Sequence, residues 1–230
     1  MTIPKVIHQY WTGGPVPPEY RAYSRAWQEM NPDWTCYLWS DQALMIGDPD
    51  TGLVNANLWY RAEEFVAPGR QYQLRADIVR YELLHRFGGV WIDMDFEPLK
   101  PLDSWFAEVD GDEPFAVWET QDEWAANGMM GSPKGHWFMR LLIDRLPQSA
   151  RDNLGHSPSK IAGPQYMTRL HREQGEPLKI LGPERFYPYL WSDLNRDNDR
   201  CRPPWPPECV AVHHWNNRRQ MLAVKTRSRK

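Results

Sequence analysis

Apolar positions recur along this chain with two periods, about two and about three and a half residues, and the switches between them mark its elements. Residues 5–10 read as a buried strand that ends in the turn Trp11-Thr12-Gly13-Gly14. Residues 19–30 have helical spacing, carried by Tyr23, Trp27 and Met30, and stop at Asn31-Pro32. Residues 34–39 are strand-like, 57–66 helical, and 71–87 a clear helix that Gly88-Gly89 terminates. Short strands follow at 90–93, 115–119 and 127–131, helices at 136–146 and 165–172, and a last strand at 209–213 after a proline-rich loop. Strands alternate with helices through the first half, which predicts an α/β fold with a mainly parallel sheet flanked by helices.

The helix over 71–87 has charges on an unexpected side. Gln71, Arg75, Glu82 and Arg86 share a polar face, whereas Asp77 and Arg80 fall among Leu74, Tyr81, Leu83, Leu84 and Phe87. A charge directed inward is costly unless paired or used. Asp77 and Arg80 are three residues apart and share a face, so they can pair. A purely structural ion pair and a functional one remain open on this ground alone.

Sixteen residues after Asp77, a short apolar strand ends in Asp93-Met94-Asp95. Alternation sends Val90 and Ile92 into the core and Trp91, Asp93 and, if the extended form persists, Asp95 the other way. Two carboxylates so placed suit a hard cation such as Mg²⁺ or Mn²⁺. The carboxyl end of a strand is also where open α/β sheets bind ligands. Glu97 is either a further ligand or part of the exiting turn.

Composition adds limits. The 230 residues suffice for one domain, and the 13 Trp and 21 Pro point to long ordered loops packed by rings. The net charge of −3 gives no general attraction to nucleic acid. The three cysteines, Cys36, Cys201 and Cys209, lack the spacing of a disulfide framework or zinc site. The N-terminus has no signal-peptide pattern, and no stretch approaches the ~20 apolar residues of a membrane span, so a cytoplasmic protein is expected. Arg218 to Lys230 holds six basic residues and no acid, and reads as a solvated tail. Arg202, in the proline-rich loop, reads as solvated.

These residues resemble a known family. Ile3 to Trp11, Asn31-Pro32-Asp33-Trp34, the run Arg75 to Tyr81, Gly88 to Asp95, Asn127 to Gly131, Gly163-Pro164, Phe186-Tyr187-Pro188 and His213-His214-Trp215 resemble landmarks of glycosyltransferase family 32. That family holds DxD-containing sugar transferases, including initiating α-1,6-mannosyltransferases. It is distantly similar to the glucosyltransferase domains of clostridial toxins. The resemblance implies a single GT-A domain over 1–217, followed by a basic tail over 218–230. It implies a UDP- or GDP-sugar donor, Mn²⁺ or Mg²⁺, and transfer with retention to a glycan, lipid-linked sugar or protein. A nucleic-acid base is a less favoured acceptor.

The resemblance also implies roles. Trp11 would stack on the donor base, Asp77 would bind sugar hydroxyls, and Arg80 would contact sugar or diphosphate. Asp93 would touch ribose and metal, and Asp95 would be the firmest metal ligand. Asn127 would lie near the transferred sugar. His213 or His214, with Trp215, would close over the leaving diphosphate, and His213 is the favoured third metal ligand. Trp91 stands at the donor where tyrosine is common, and Asn216-Asn217-Arg218-Arg219 replaces the expected closing segment. No unassigned carboxylate is compelling as a nucleophile, which favours a front-face path over double displacement. A nucleotide-sugar hydrolase, a catalytically dead glycan-binding protein and a metal-dependent phosphatase or nuclease are the rival readings.

Overall fold

The computed structural model describes residues 2–45, 52–107, 109, 111–120, 123–190, 192–196, 201 and 203–215. Residues 202 and 216–230, which carry the expected Arg202, closing segment and basic tail, lie outside the described residues. The elements run β1 (Val6–Trp11), α1 (Pro18–Met30), β2 (Thr35–Ser40), α2 (Asp41–Met45), α3 (Ala56–Tyr60), α4 (Ala62–Phe65), α5 (Gln71–Phe87), β3 (Gly89–Ile92) and β4 (Phe96–Pro98). They continue with α6 (Asp103–Phe106), β5 (Phe115–Thr120), β6 (Trp124–Ser132), α7 (Trp137–Asp152), α8 (Pro158–Ile161), α9 (Pro164–Glu173), β7 (Lys179–Leu181) and β8 (Ala211–His213).

Six strands form the central sheet in the order β2-β1-β3-β6-β5-β7. The pairings β1–β2, β1–β3 and β5–β7 are parallel, while β6 runs antiparallel to both β3 and β5. A separate antiparallel pair joins β4 to β8, with Phe96 opposite His213. The sheet divides two cores. Trp91, Ala116 and Met130 face α5, α7 and α9, and Val90, Ile92, Val117 and Met129 face Trp27, Phe96, Trp105 and Phe186. The alternation expected along residues 90–92 is therefore present.

The centre of the fold is the tight passage from α5 into β3. Gly88 caps α5 with φ +67, and its N–H donates to the Leu84 carbonyl at 2.9 Å. The Gly88 carbonyl accepts from His8 Nε2–H at 2.8 Å, and Trp39 Nε1 donates to His8 Nδ1 at 3.1 Å. His8 thus stays a neutral imidazole, its pKa lowered to about 4 chiefly by burial. It pins the end of α5 to the strand beside β3.

Three elements depart from the periodic pattern. The helix expected over 57–66 breaks into α3 and α4 at Arg61. The helix expected to stop at residue 146 continues through Pro147 to Asp152. Proline there leaves the Ile143 carbonyl without its helical donor, and Asn55 Nδ2 supplies one at 2.9 Å. Glu82, assigned to the solvent face, is buried instead. Its carboxylate accepts the backbone N–H groups of Val54 at 2.7 Å and Asn55 at 2.9 Å. The same peptide segment therefore supplies both the cover over Glu82 and the cap for Pro147's missing bond.

A substitution pair checks the α5–β3 passage. Gly89 has φ +101, and a Cβ there would lie 2.5 Å from the Val6 carbonyl oxygen. Gly69 has φ +83 with open space around it. Urea denaturation should find Gly69→Ala destabilised by about 1 kcal/mol. Gly89→Ala should lose over twice that, about 2–3 kcal/mol or more. Equal losses would mean that the close approach of β1 does not constrain Gly89.

Candidate active site

α5 presents Asp77 and Arg80 to the carboxyl end of β3, and both are buried as the helical pattern predicted. The Arg80 guanidinium lies 3.2 Å from Asp77 Oδ1 and 3.2 Å from Asp93 Oδ1. It also donates to the Asn127 carbonyl and, through Nε, to the Ala76 carbonyl at 3.3 Å. Its ring-facing side rests 5.1 Å from the Trp91 indole. Arg80 therefore holds two carboxylates and a strand of β6 in one arrangement. Its donors are turned on protein acceptors rather than on an open surface.

Asn127, on β6, donates from Nδ2 to Asp77 Oδ1 at 2.9 Å and to the Tyr81 hydroxyl at 3.2 Å. Asp77 Oδ2 faces Gly163, where a Cβ would come within 3.1 Å. Burial raises the Asp77 pKa to about 6, against the lowering effect of Arg80 and Asn127. Asp93 is raised in the same direction, again by burial first and with Arg80 opposing.

Trp91, expected at the donor, lies behind Asp93 instead. Its side chain is 1% exposed, and its Nε1–H donates to Asp93 Oδ1 at 2.8 Å. The indole aims the carboxylate from below. The departure from tyrosine thus keeps a hydrogen-bond donor but directs it to protein.

Asp95 does not continue the strand. β3 ends at Ile92, and the chain turns through Asp93 to Asp95, with the Phe96 N–H donating to the Asp93 carbonyl at 3.2 Å. The two carboxylates therefore meet across a turn, not by alternation along one strand face. The pairing of β4 with β8 then brings in His213, whose Nε2 lies 3.1 Å from Asp95 Oδ1. Ligand atoms of Asp93, Asp95 and His213 all fall within 4.8 Å of one another. Two carboxylates and one imidazole are a suitable donor set for a divalent cation. His213 Nδ1 is buried without a hydrogen-bond partner among the described residues. Burial disfavours charge on His213, but Asp95 and then Asp93 and Glu119 outweigh it and hold its pKa above the ordinary value.

The histidine pair divides its work. Both rings face carboxylates. His214 Nε2 lies 2.8 Å from Glu97 Oε2, its Nδ1 3.3 Å from the Tyr189 hydroxyl, and its ring stacks on Tyr23 at 5.6 Å. Glu97 is thus the partner of His214 on β4. Trp215 takes a left-handed backbone with φ +53 and lays its ring 4.2 Å from that of His213. Trp11 ends β1 and packs edge-on against Tyr20 at 5.2 Å, with its buried Nε1 unpartnered among the described residues.

Sequence reasoning missed three features. Gly128 faces Asp93, and a Cβ there would lie 2.9 Å from Oδ2. The Gly128 carbonyl also accepts the Asp93 N–H at 2.8 Å, so the carboxylate cannot retreat. Glu119 contributes negative potential at His213, and Tyr187 lies against the His213 ring at 5.4 Å. The signals were present as Asn127-Gly128 and Phe186-Tyr187-Pro188, but only the fold shows what each faces.

Residues 17–111 match a family described as the glycosyltransferase sugar-binding region containing the DXD motif. That match covers about two-fifths of this chain. Inositol phosphoceramide mannosyltransferase 3 of Schizosaccharomyces pombe is 28% identical over 149 residues, covering 64% of this chain and 38% of that protein. The initiation-specific alpha-1,6-mannosyltransferase of Candida albicans is 27% identical over 169 residues, covering 62% of this chain and 42% of that protein. The chain thus spans about two-fifths of the length of these relatives. Among solved structures, the PaToxG glycosyltransferase superposes with a TM-score of 0.58 at 18% identity, covering 75% of this chain and 70% of that one. The fold is the expected GT-A arrangement, and no helix among the described residues is long and apolar enough to cross a membrane.

Two predictions follow from the geometry. Removing Arg80 leaves two buried carboxylates facing each other, so Arg80→Met should lower stability by ~3–5 kcal/mol at pH 7.5. Asp77 is raised to about 6 in the folded state, so folding is favoured below the ordinary carboxylate range and this contribution is lost as pH rises through about 6. Without Arg80 that pKa moves higher still, and the deficit in urea midpoint should shrink markedly at pH 5. A deficit identical at both pH values would mean that unpaired carboxylates are not its cause. Separately, Gly128→Ala should weaken Mn²⁺ binding by roughly 10-fold or more with an unchanged circular dichroism spectrum, because a displaced ligand loses its geometry. Calorimetric titration with Mn²⁺ measures this directly.

Proposed function

We propose that the chain transfers a hexose from a UDP- or GDP-linked sugar to a hydroxyl on a glycan, lipid-linked sugar or protein, with retention of anomeric configuration. The observation that carries this reading is the convergence of Asp93, Asp95 and His213 beside a buried Asp77–Arg80–Asn127 network. A divalent cation held by those three side chains would supply charge stabilisation to the departing diphosphate.

The chain's own residues do the rest. Asp77, fixed on one oxygen by Arg80 and Asn127, accepts hydrogen bonds from hydroxyls of the transferred sugar. Arg80 keeps Asp77 and Asp93 aimed and neutralised while the donor is absent. Trp91 holds Asp93 from behind, and Gly128 and Gly163 leave room in front of Asp93 and Asp77. Trp11, at the end of β1, stacks on the donor base, while His214 and Trp215 fix the β8 segment that carries His213. The word alpha in the Candida albicans relative's name supports a product of the same configuration as an α-linked nucleotide-sugar. Glu119 is half-buried near His213, but Asp77 and Asp93 are each already held by Arg80, and a front-face path needs no enzyme nucleophile.

A donor panel with purified protein and Mn²⁺ tests the proposal. Wild type is set beside Asp95→Ala, and the readout is released UDP or GDP. Release from one nucleotide-sugar, abolished by EDTA and lowered at least 100-fold (on the order of 10²–10³ for a lost charge-stabilising group) in Asp95→Ala, is the expected result. Release that no acceptor accelerates would favour the hydrolase instead. If no nucleotide-sugar turns over and neither UDP nor GDP binds with metal, the transferase reading fails.

A further inference from the structure

Tyr187 forms part of the floor beneath His213. Three rings fix its own ring: Phe96 at 5.6 Å and 77°, His213 at 5.4 Å and 86°, and Trp215 at 5.5 Å and 40°. Its side chain is 4% exposed, and its hydroxyl oxygen is buried with no hydrogen-bond partner among the described residues. A buried hydroxyl without a partner is uncommon and asks for an explanation. The fold does not require it, because phenylalanine would make the same three ring contacts.

The surroundings say what kind of partner is missing. A phenol, with an ordinary pKa of about 10, is protonated at neutral pH. The group is therefore a neutral O–H donor in an acid-rich site. No acceptor among the described residues lies within hydrogen-bond reach of it, and the Oδ1 atoms of Asp93 and Asp95 are engaged by Trp91 and Arg80 and by His213. An acceptor oxygen must then arrive with a ligand. All three ring contacts belong to β4, β8 and the residue group around His213, on the side of the cation ligands.

We propose that Tyr187 is a further donor-binding residue whose hydroxyl donates to a diphosphate oxygen of the nucleotide-sugar seated at Asp93, Asp95 and His213. This rests on the transferase reading above. It adds a neutral donor to a site that otherwise meets the diphosphate with a cation and carboxylates. It also accounts for the orphaned hydroxyl as a group poised for its ligand and without function in the free protein.

Tyr187→Phe is the test, because it deletes one oxygen and keeps the ring. Wild type and variant are titrated calorimetrically in Mn²⁺ with UDP and UMP, and with GDP and GMP. The melting temperature of each unliganded protein is also measured. The expected result is a loss of roughly 10-fold to 100-fold in affinity for the preferred diphosphate, the range of one hydrogen bond to a charged acceptor. Affinity for the matching monophosphate should stay within about twofold of wild type, and the unliganded variant should melt no lower than wild type. Unchanged diphosphate affinity overturns the assignment and leaves the transferase reading intact. A lowered melting temperature with equal losses for both nucleotides makes Tyr187 a packing residue, which also overturns it. If wild type binds neither diphosphate, the transferase reading falls and this assignment falls with it.

Discussion

Arg80 is the constraint on which the rest of this site depends. A buried guanidinium must be matched by acceptors, and here they come from three separate parts of the chain: Asp77 on its own helix, Asp93 at the end of β3, and the Asn127 carbonyl on β6. The desolvation cost of such a cation is large, and only complete pairing offsets it. The arrangement therefore cannot relax piecemeal. Moving α5 relative to the sheet would break the Asp93 pair and the β6 contact together. That coupling is what lets a helix face set the position of a carboxylate that lies 16 residues further along.

Close backbone approach makes the coupling possible. α5 can deliver Arg80 to the strand end only if the chain reverses at once into β3, and Gly88 and Gly89 provide that reversal with left-handed backbones. His8 then ties the Gly88 carbonyl to β1. On the opposite side, Gly128 admits the Asp93 carboxylate and Gly163 admits that of Asp77. The site is thus walled by backbone where it must hold charge tightly. Rings pack it on the β4–β8 side, where Phe96, Tyr187 and Trp215 surround His213.

How much of this was legible in sequence depends on the range of the interaction. The inward turn of Asp77 and Arg80 is a property of helical spacing, and it was readable from residues 71–87 alone. So was the Gly88-Gly89 stop, and so was the alternation of Val90, Trp91 and Ile92. Glu82 obeyed the same wheel and misled, because its burial comes from Val54 and Asn55 folding over it. Pro147 misled for the same reason, since Asn55 supplies the donor that a local reading counts as lost. Asp95 was assigned to a strand face and lies in a turn. The pairing of β4 with β8, over 100 residues apart, decides its neighbours. Trp91 has a donor group like the tyrosine expected there, but a one-residue motif comparison does not tell which way that donor points.

Charge balance gives the remaining argument for a cation. Around the strand end stand Asp77, Asp93 and Asp95, with Glu97 and Glu119 nearby, and the permanent positive charge placed among them is Arg80. Arg80 compensates for Asp77 and Asp93. Asp95 instead meets His213, whose pKa is raised because the carboxylates outweigh the penalty of its burial. An imidazole drawn toward protonation by surplus negative charge occupies, electrostatically, the place a divalent cation would take. Binding such a cation would compete with protonation of His213 and make the imidazole a ligand. The same surplus would repel a diphosphate in the absence of metal. On the proposed reading, such a site would take its anionic ligand together with a cation, with the acidic surplus as the basis of the pairing.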